Sequence, residues 1–248
     1  MSDHAHRLAL VTGANRGIGR ETARRLAATG ARVLLAGRDR AAVTAAAQDL
    51  RNDGLAADPL VLDVTDPASI RAAAEQVDRA HGRLDVLVNN AGIRTEQYGL
   101  SPSQQPPERW RETFDTNLFG VVDVTTAFLP LLRRSPAARI VNVSSLLGSL
   151  TTHSDPDSYA STPMFKSLPA YSAAKSAVNS WTVHLAYELR DTPIKVNAVH
   201  PGYTRTDLND GAGDLDVADG ATSSVLMALL DADGPTGTYT HQGAPVPW

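Results

Sequence analysis

The chain has 248 residues, of which 42% are hydrophobic and 20% charged, and its formal net charge is −4. This composition is typical of a folded globular protein and excludes a disordered chain. The mildly acidic balance argues against a nucleic-acid-binding face. The lack of cysteine excludes disulfides, thiolate metal sites and cysteine nucleophiles.

Short apolar runs alternate with helix-compatible stretches along the chain. The runs predict six strands, at 8–12, 33–36, 60–62, 84–88, 139–143 and 194–199, with a seventh at 237–240. Helices are predicted between the first of them, at 17–29, 40–52 and 67–81. This alternation predicts a single α/β domain over 1–248, with a doubly wound, mostly parallel sheet of seven strands flanked by helices.

Three irregular segments follow predicted strands. Residues 94–107 are polar and contain proline, 146–170 are long and rich in serine and threonine, and 203–219 are rich in glycine and aspartate. Ligands of parallel α/β sheets bind beyond the carboxyl ends of strands, so these segments are expected near a site. We call 146–170 the insertion segment and 203–219 the lid segment, which is expected to cover a substrate.

The N-terminal residues contain no apolar stretch of signal-peptide length, and no apolar run of the chain is long enough to span a bilayer. We expect a cytoplasmic protein without a membrane or nucleic-acid partner. The histidines lack metal-ligand spacing, so no metal site is predicted.

A glycine-rich turn joins the first strand to the first helix. Gly13, Gly17 and Gly19 follow Thr12 there. Glycine permits a sharp turn and lets the backbone approach a pyrophosphate, which then meets the amides of a helix N-terminus. The turn therefore predicts a dinucleotide site, the alternative being a glycine-rich turn without a ligand.

The spacing of these glycines resembles the short-chain dehydrogenase/reductase family. Further motifs in family order are Asn89-Asn90-Ala91-Gly92, Asn117, Ser144-Ser145, Tyr171 with Lys175, and Pro201-Gly202. The resemblance covers nearly the whole chain and implies a Rossmann-type fold, a nicotinamide cofactor and a small-molecule carbonyl or alcohol substrate. The cofactor-binding residues that it implies are Gly13, Asn15, Arg16, Gly17, Ile18, Gly19, Arg38, Asp63, Val64, Asn90, Ala91, Gly92, Tyr171, Lys175, Pro201, Gly202, Thr204 and Thr206.

The end of the second strand bears on the choice between NADP and NAD. Members of the family that use NAD tend to have an acid where Gly37 stands, and Arg38 follows here. Together with Arg16, Arg38 would bind a 2′-phosphate, so NADPH/NADP+ is the predicted cofactor. Asp39 points mildly the other way, and the two arginines are alternatively solvated surface residues.

Tyr171 and Lys175 are four residues apart on a predicted helix and therefore share a face. A neighbouring ammonium, together with the positive nicotinamide of the oxidised cofactor, stabilises tyrosinate. The two charges are expected to lower the pKa of Tyr171 and make it a usable general acid or base. Lysine is scarce in this chain, which contains only Lys166, Lys175 and Lys195. The resemblance implies that Ser145, with Ser144 as the alternative, orients the substrate oxygen and that Asn117 holds a proton-relaying water.

The number of residues between Ser145 and Tyr171 in the sequence is about twice that in typical family members. The insertion segment resembles that of the carbonyl-reductase-like, monomeric branch and its plant menthone-reductase-like relatives. It is expected to cover the face that usually packs between subunits and to favour a monomer, although a dimer or tetramer and a merely tolerated surface loop stay open.

The predicted substrate pocket is apolar. Its predicted lining is Ile93, Ser145, Leu146, Leu147, Met164, Phe165 and Tyr203, although the apolar members are equally consistent with core packing. The sequence thus predicts an NADPH-dependent reductase of a hydrophobic ketone, aldehyde or quinone. The alternatives are an NADP-dependent alcohol or sugar dehydrogenase working in oxidation, and a non-catalytic NADP(H)-sensing regulator.

Overall fold

Buried apolar runs form one sheet in the computed structural model, which describes residues 6–248. The N-terminal residues considered above for a targeting signal lie largely outside that range. The sheet order is β3-β2-β1-β4-β5-β6-β7-β8. The strands are β1 Leu8–Thr12, β2 Arg32–Gly37, β3 Ala57–Val61, β4 Val86–Asn89, β5 Arg139–Val143, β6 Lys195–Val199, β7 Tyr239–His241 and β8 Ala244–Pro245.

Neighbouring strands are parallel from β3 to β7, and only the β7–β8 pair is antiparallel. The doubly wound fold is therefore confirmed. The helices are α1 Gly17–Ala28, α2 Arg40–Asn52, α3 Pro67–His81, α4 Pro107–Phe114, α5 Gly120–Leu132, α6 Leu150–Ser154, α7 Pro163–Lys166, α8 Pro169–Glu188 and α9 Val217–Ala228.

Both faces of the sheet are covered by helices, which explains why the strands read as continuous apolar runs. Alternate strand residues such as Leu10 and Ile140 pack with α3, α5 and α8 on one face. Their neighbours Val11 and Val141 pack with α1, α2 and α9 on the other face. The core thus fixes the carboxyl ends of the central strands along one edge.

Most predicted strands are shifted by one to three residues at an end, and two strands at the edges of the sheet differ further. β3 begins at Ala57 and includes Asp58 and Pro59, which an edge strand tolerates but an apolar-run search overlooks. β8 was not predicted, since it has only two residues after a hairpin turn. Gln242 and Gly243 form that turn with positive φ angles of 49° and 85°.

The insertion segment is not an irregular loop but a series of short helical turns. It contains α6, α7 and single 3-10 turns at Leu146–Gly148 and Tyr159–Ser161. Its last two residues already belong to α8. The lid segment likewise ends inside α9, and a parallel bridge between Thr204 and Leu215 closes it into a loop.

Within residues 6–248, no helix combines the length and apolarity that a membrane crossing requires. Over the same range, no group of three or more histidine, aspartate or glutamate side chains is arranged to hold a metal ion.

Candidate active site

A cavity of about 700 Å³ lies at the carboxyl ends of the parallel strands. Segments that follow β1 to β6 all contribute to its walls. Most of the predicted cofactor-binding residues line it: Gly13, Asn15, Arg16, Gly17, Ile18, Gly19, Arg38, Asp63, Val64, Asn90, Ala91, Gly92, Tyr171, Lys175, Pro201 and Thr206. The structure therefore brings motifs from the whole length of the chain into one cleft.

The glycine turn leaves room for a ligand at the start of α1. Gly13 and Gly17 have positive φ angles of 62° and 56°, which other residues rarely adopt. A Cβ atom at Gly19 would overlap the carbonyl oxygen of Gly13 and the amide of Asn90. Arg16 is the residue before α1, and its side chain makes no hydrogen bond to the first turn of the helix. The first amides of α1 therefore have no side-chain acceptor from this residue. This cradle suits a pyrophosphate.

Asn90 ties the end of β4 to the end of β1. Its side-chain amide donates to the carbonyl oxygen of Thr12 at 2.8 Å, and its backbone amide donates to the Thr12 hydroxyl at 3.0 Å. The amide of Ala91 donates to the same hydroxyl at 3.0 Å. Asn90 and Thr12 thus shape the floor of the cleft.

Arg38, just after β2, is exposed, and the next residue, Asp39, caps α2. The Asp39 carboxylate accepts a hydrogen bond from the Ala42 amide at 3.1 Å and caps α2. A Cβ atom at Gly37 would come within 2.8 Å of a Val43 methyl group, so an acid fits poorly there. The side chains around this end of the cleft thus leave arginine as the group facing a ligand.

Arg16 reaches across the cleft to the lid segment. Its guanidinium lies 2.7 Å from the Asp207 carboxylate, and both side chains are about 70% exposed. No local pattern indicates this pair, because 191 positions along the chain separate the two residues.

Asp63 and Val64 line the cavity just after β3, and Asp63 does not cap α3. The Asp63 carboxylate accepts hydrogen bonds from the amide and hydroxyl of Thr65 at 2.9 and 2.8 Å. Asp66 caps α3 instead, accepting from the Ala68 amide at 2.8 Å.

Tyr171 and Lys175 both lie buried on the first turns of α8. Lys175 Nζ donates to the carbonyl oxygen of Val143 at 2.7 Å and lies 5.7 Å from the centre of the Tyr171 ring. Burial raises the pKa of Tyr171 to about 12, and the interaction with Ser145 opposes that rise. Desolvation outweighs the interactions with Ser145 and Arg94, which lower this pKa. A lowered pKa of Tyr171 with the oxidised cofactor bound stays a prediction.

Burial also lowers the pKa of Lys175 from 10.5 to about 8. We expect Lys175→Met to raise the free energy of unfolding at pH 7 by about 1–2 kcal/mol. Removing the buried ammonium recovers roughly 3 kcal/mol, and losing its hydrogen bond to Val143 costs about 1 kcal/mol. Urea unfolding of both proteins measures the difference.

The pH dependence of the same experiment is a second check. The folded protein releases the Lys175 proton near pH 8 and the unfolded chain near 10.5, so this group makes stability rise with pH between those values. Lys175→Met should lack that rise, and Lys195→Met, a partly exposed control, should retain it. A Lys175→Met variant that is less stable than wild type at pH 7 would contradict this account.

Ser145, rather than Ser144, is turned toward the tyrosine. Ser145 Oγ accepts from the Leu147 amide at 3.3 Å and interacts with Tyr171. Ser144 is buried and its hydroxyl donates to the carbonyl oxygen of Lys175 at 3.4 Å, which points it at the backbone of α8. Ser144 nevertheless contributes to the cavity wall beside Val143.

Asn117 lies in a π-helical turn, Asp115–Phe119, between α4 and α5. The side-chain oxygen of Asn117 accepts a hydrogen bond from the backbone amide of Ile93 at 2.8 Å. Its side-chain nitrogen donates to the backbone carbonyl oxygen of Ile93, also at 2.8 Å. The side chain thus holds the segment after β4 at Gly92 and Ile93, close to Lys175 Nζ. The proton-relaying water that the resemblance assigns to Asn117 stays a prediction.

Comparisons with known proteins agree with this geometry. A family model described as short chain dehydrogenase matches residues 7–214. The chain is 38% identical to the short-chain dehydrogenase anuI of Penicillium roqueforti, over 89% of this chain and 88% of that protein. It is 34% identical to (+)-neomenthol dehydrogenase of Arabidopsis thaliana, over 96% of this chain and 97% of the relative.

The chain belongs to the short-chain dehydrogenase/reductase family. It is an oxidoreductase of a family that uses a nicotinamide cofactor and small-molecule substrates. Its menthone-reductase-like relationship is confirmed by the plant relative. Among solved structures, actinorhodin polyketide ketoreductase with NADPH superposes with a TM-score of 0.80 at 29% identity, covering 96% of each chain.

The predicted substrate residues of this oxidoreductase are only partly at the cavity. Ile93 lines it, whereas Leu147 and Phe165 are buried in a small cluster with Leu168. Tyr203 packs edge-on against Phe165, with ring centres 5.4 Å apart. Leu147 and Phe165 therefore stabilise the insertion segment by packing in its own small core, and Tyr203 of the lid segment packs against that core.

Ser145 and four other predicted residues also lie outside the cavity wall. Leu146 is partly exposed beside Ser145, and Met164 is 42% exposed. Gly202 makes room for Leu215, and the Thr204 hydroxyl donates to the carbonyl oxygen of Pro201 at 3.2 Å. The last two residues therefore shape the lid segment rather than the cofactor cleft.

Arg94 is a cavity residue that sequence analysis missed. Its Nε donates to the carbonyl oxygen of Leu208 at 3.1 Å, and its guanidinium lies 3.5 Å from Asp210. The side chain is only 12% exposed and stacks over the Tyr98 ring at 4.2 Å. Arg94 thus fastens the lid segment to the segment after β4.

His200 holds the turn that carries Ser145. Burial lowers its pKa to about 3, so the ring is neutral. Its Nδ1 accepts from the Leu146 amide at 3.1 Å, which leaves Nε2 as the donor to the Tyr159 hydroxyl at 3.2 Å. The insertion segment and the serine turn are thereby joined through one histidine.

Proposed function

We propose that the protein is an NADPH-dependent reductase of hydrophobic ketones, aldehydes or quinones. The observation that carries this proposal is the buried Tyr171, which lies at the cavity with Ser145 and Lys175 beside it. With its pKa near 12, its hydroxyl keeps its proton at neutral pH, as a general acid requires.

The choice of NADPH rests on the arginines at the mouth of the cleft. Arg38 is exposed and Arg16 is paired only with an exposed carboxylate, so both guanidinium groups are accessible to a 2′-phosphate. The carboxylate that would oppose a phosphate, Asp39, is occupied in capping α2. NADPH bound over Gly13–Gly19 would supply the hydride. The related ketoreductase structure described above contains NADPH, which is consistent with this choice.

The residues of this chain then have distinct tasks. The Ser145 hydroxyl orients the carbonyl oxygen, and Tyr171 donates its proton to that oxygen as the carbonyl carbon is reduced. Lys175, held by the Val143 carbonyl group, stabilises the tyrosinate that remains and would hydrogen-bond the nicotinamide ribose. Asn117 fixes Ile93 and Gly92 against Lys175, so that the reacting groups keep their spacing.

A hydrophobic substrate is supported by Ile93 and Leu208, which line the cavity together with Tyr171. A panel of cyclohexanone, benzaldehyde and phenanthrenequinone with NADPH at neutral pH, followed at 340 nm, tests the proposed function. We expect consumption of NADPH with at least one of them. Consumption with none, together with no binding of NADPH, would refute the proposal.

We also propose that the protein is a monomer in solution. The insertion segment packs on the first turns of α8, where Gly148 lies against the backbone of Lys175. It leaves Val183 and Tyr187 of the same helix exposed, so its cover is partial. Light scattering should give a mass near the 26.3 kDa of one chain, and twice or four times that mass would contradict a monomer.

A further inference from the structure

The helix that carries Tyr171 lacks a side-chain cap of its own. α8 begins at Pro169, and the preceding Leu168 makes no side-chain hydrogen bond to the first turn. The first amides of a helix have no partner within it, so they need acceptors from elsewhere. The Tyr171 amide has one in Glu96, whose Oε1 accepts at 2.5 Å although 75 positions separate the two residues.

Glu96 is a buried and firmly held carboxylate. It is 5% exposed, and its second oxygen accepts from the Thr95 amide at 3.3 Å. The side-chain amide of Gln105 donates to the carbonyl oxygens of Gln97 at 2.7 Å and Ser167 at 3.0 Å. The neighbour of Glu96 is thereby fastened to the residues that lead into α8.

We propose that Glu96 is a positioning residue for the reacting tyrosine: it holds the first turn of α8 in place and sets a negative charge beside Tyr171. The inference rests on the proposed function, since it takes Tyr171 as the group that exchanges the proton. A negative charge at the start of a helix is itself favourable, which explains how a carboxylate is accommodated there with little solvent contact.

The other groups that face Tyr171 decide the direction of the effect. Burial raises the pKa of Tyr171, Ser145 opposes the rise, Glu96 adds to it and Arg94 opposes it. Tyr159 and Tyr239 also face it, and burial raises their pKa values, so both are uncharged at neutral pH. Lys175 also lies beside Tyr171, and it is unchanged in all the variants compared below, so it does not contribute to the difference between them. Removing the Glu96 charge should therefore lower the pKa of Tyr171.

The test uses oxidation of an alcohol by NADP+, with the alcohol formed from the ketone or aldehyde that the enzyme reduces fastest. The oxidation rate rises with pH, because Tyr171 must lose its proton before it can accept one. Glu96→Gln keeps an oxygen for the Tyr171 amide and removes the charge. In Glu96→Gln, the pH at which kcat for alcohol oxidation rises should be about 0.5–1 unit lower than in wild type. Glu108→Gln, which removes an exposed carboxylate of α4, should leave the profile unchanged.

Loss of the acceptor should have a different effect from loss of the charge. Glu96→Ala removes both and should lower kcat about tenfold or more while KM for NADP+ changes little. An unshifted pH profile in Glu96→Gln would overturn the proposal, whatever its rate. Tyr171→Phe is measured beside it: full activity there refutes the proposed function, whereas an inactive Tyr171→Phe with an unshifted Glu96→Gln profile refutes only the role of Glu96.

Discussion

Tyr171→Phe is expected to lower kcat for carbonyl reduction by about 10²–10⁴-fold, the usual contribution of a positioned general acid. The variant retains the buried ring on α8 but has no proton to donate to the carbonyl oxygen. Because the lost hydroxyl is only one contact of a long cleft, the Kd for NADPH should change less than about threefold. Steady-state rates and a fluorescence titration of NADPH measure the two quantities.

Tyr187→Phe is the matched control for this variant. Tyr187 lies on the same helix and is 67% exposed, so its hydroxyl should be dispensable for the reaction. The control should have wild-type kcat. If Tyr171→Phe reduced carbonyls as fast as the control, the proposed proton donor would be wrong.

Replacing both Arg16 and Arg38 by glutamine is expected to lower the preference for NADPH over NADH by about 10²–10³-fold. Each guanidinium is assigned a charge-assisted hydrogen bond to the 2′-phosphate, worth about 1.5–3 kcal/mol before coupling between them. NADH lacks that phosphate, so its kcat/KM should change little. The measurement is the ratio of kcat/KM values for the two cofactors.

Two further variants sharpen this test. Arg109→Gln removes a partly exposed arginine of α4 and should leave the cofactor ratio unchanged. Asp207→Asn releases Arg16 from its ion pair and should tighten NADPH binding by up to about fivefold, the value of an exposed pair. An unchanged cofactor ratio in the double arginine variant would reject the assignment of NADPH specificity to these residues.

The parts of the fold and of the site that depend on neighbouring residues in the sequence were predicted correctly. The glycine turn, the Tyr171–Lys175 pair and the buried central strands each depend on residues close in sequence, and the structure places them together as expected. The edge strands were less predictable, since β3 contains Asp58 and Pro59 and β8 has only two residues.

Contacts between distant segments account for what sequence reasoning missed. Arg94 meets Leu208 at a separation of 114 positions, and Glu96 meets Tyr171 at 75. Neither pair has a spacing or motif that a single sequence reveals. The assignment of Phe165 to the substrate pocket is not supported for a related reason: an apolar side chain looks the same in a pocket and in the small core that stabilises an insertion.

The protein's proposed chemistry is tested most directly by hydride transfer itself. Reduction of the better of cyclohexanone and benzaldehyde with NADPH deuterated at C4 of the nicotinamide, on the face that donates the hydride, should give an alcohol with one deuterium on the carbinol carbon. Both C4 diastereomers of the labelled cofactor are used, and one of them should transfer its label. An alcohol without deuterium from either diastereomer, or no alcohol at all, would contradict NADPH-dependent carbonyl reduction by this enzyme.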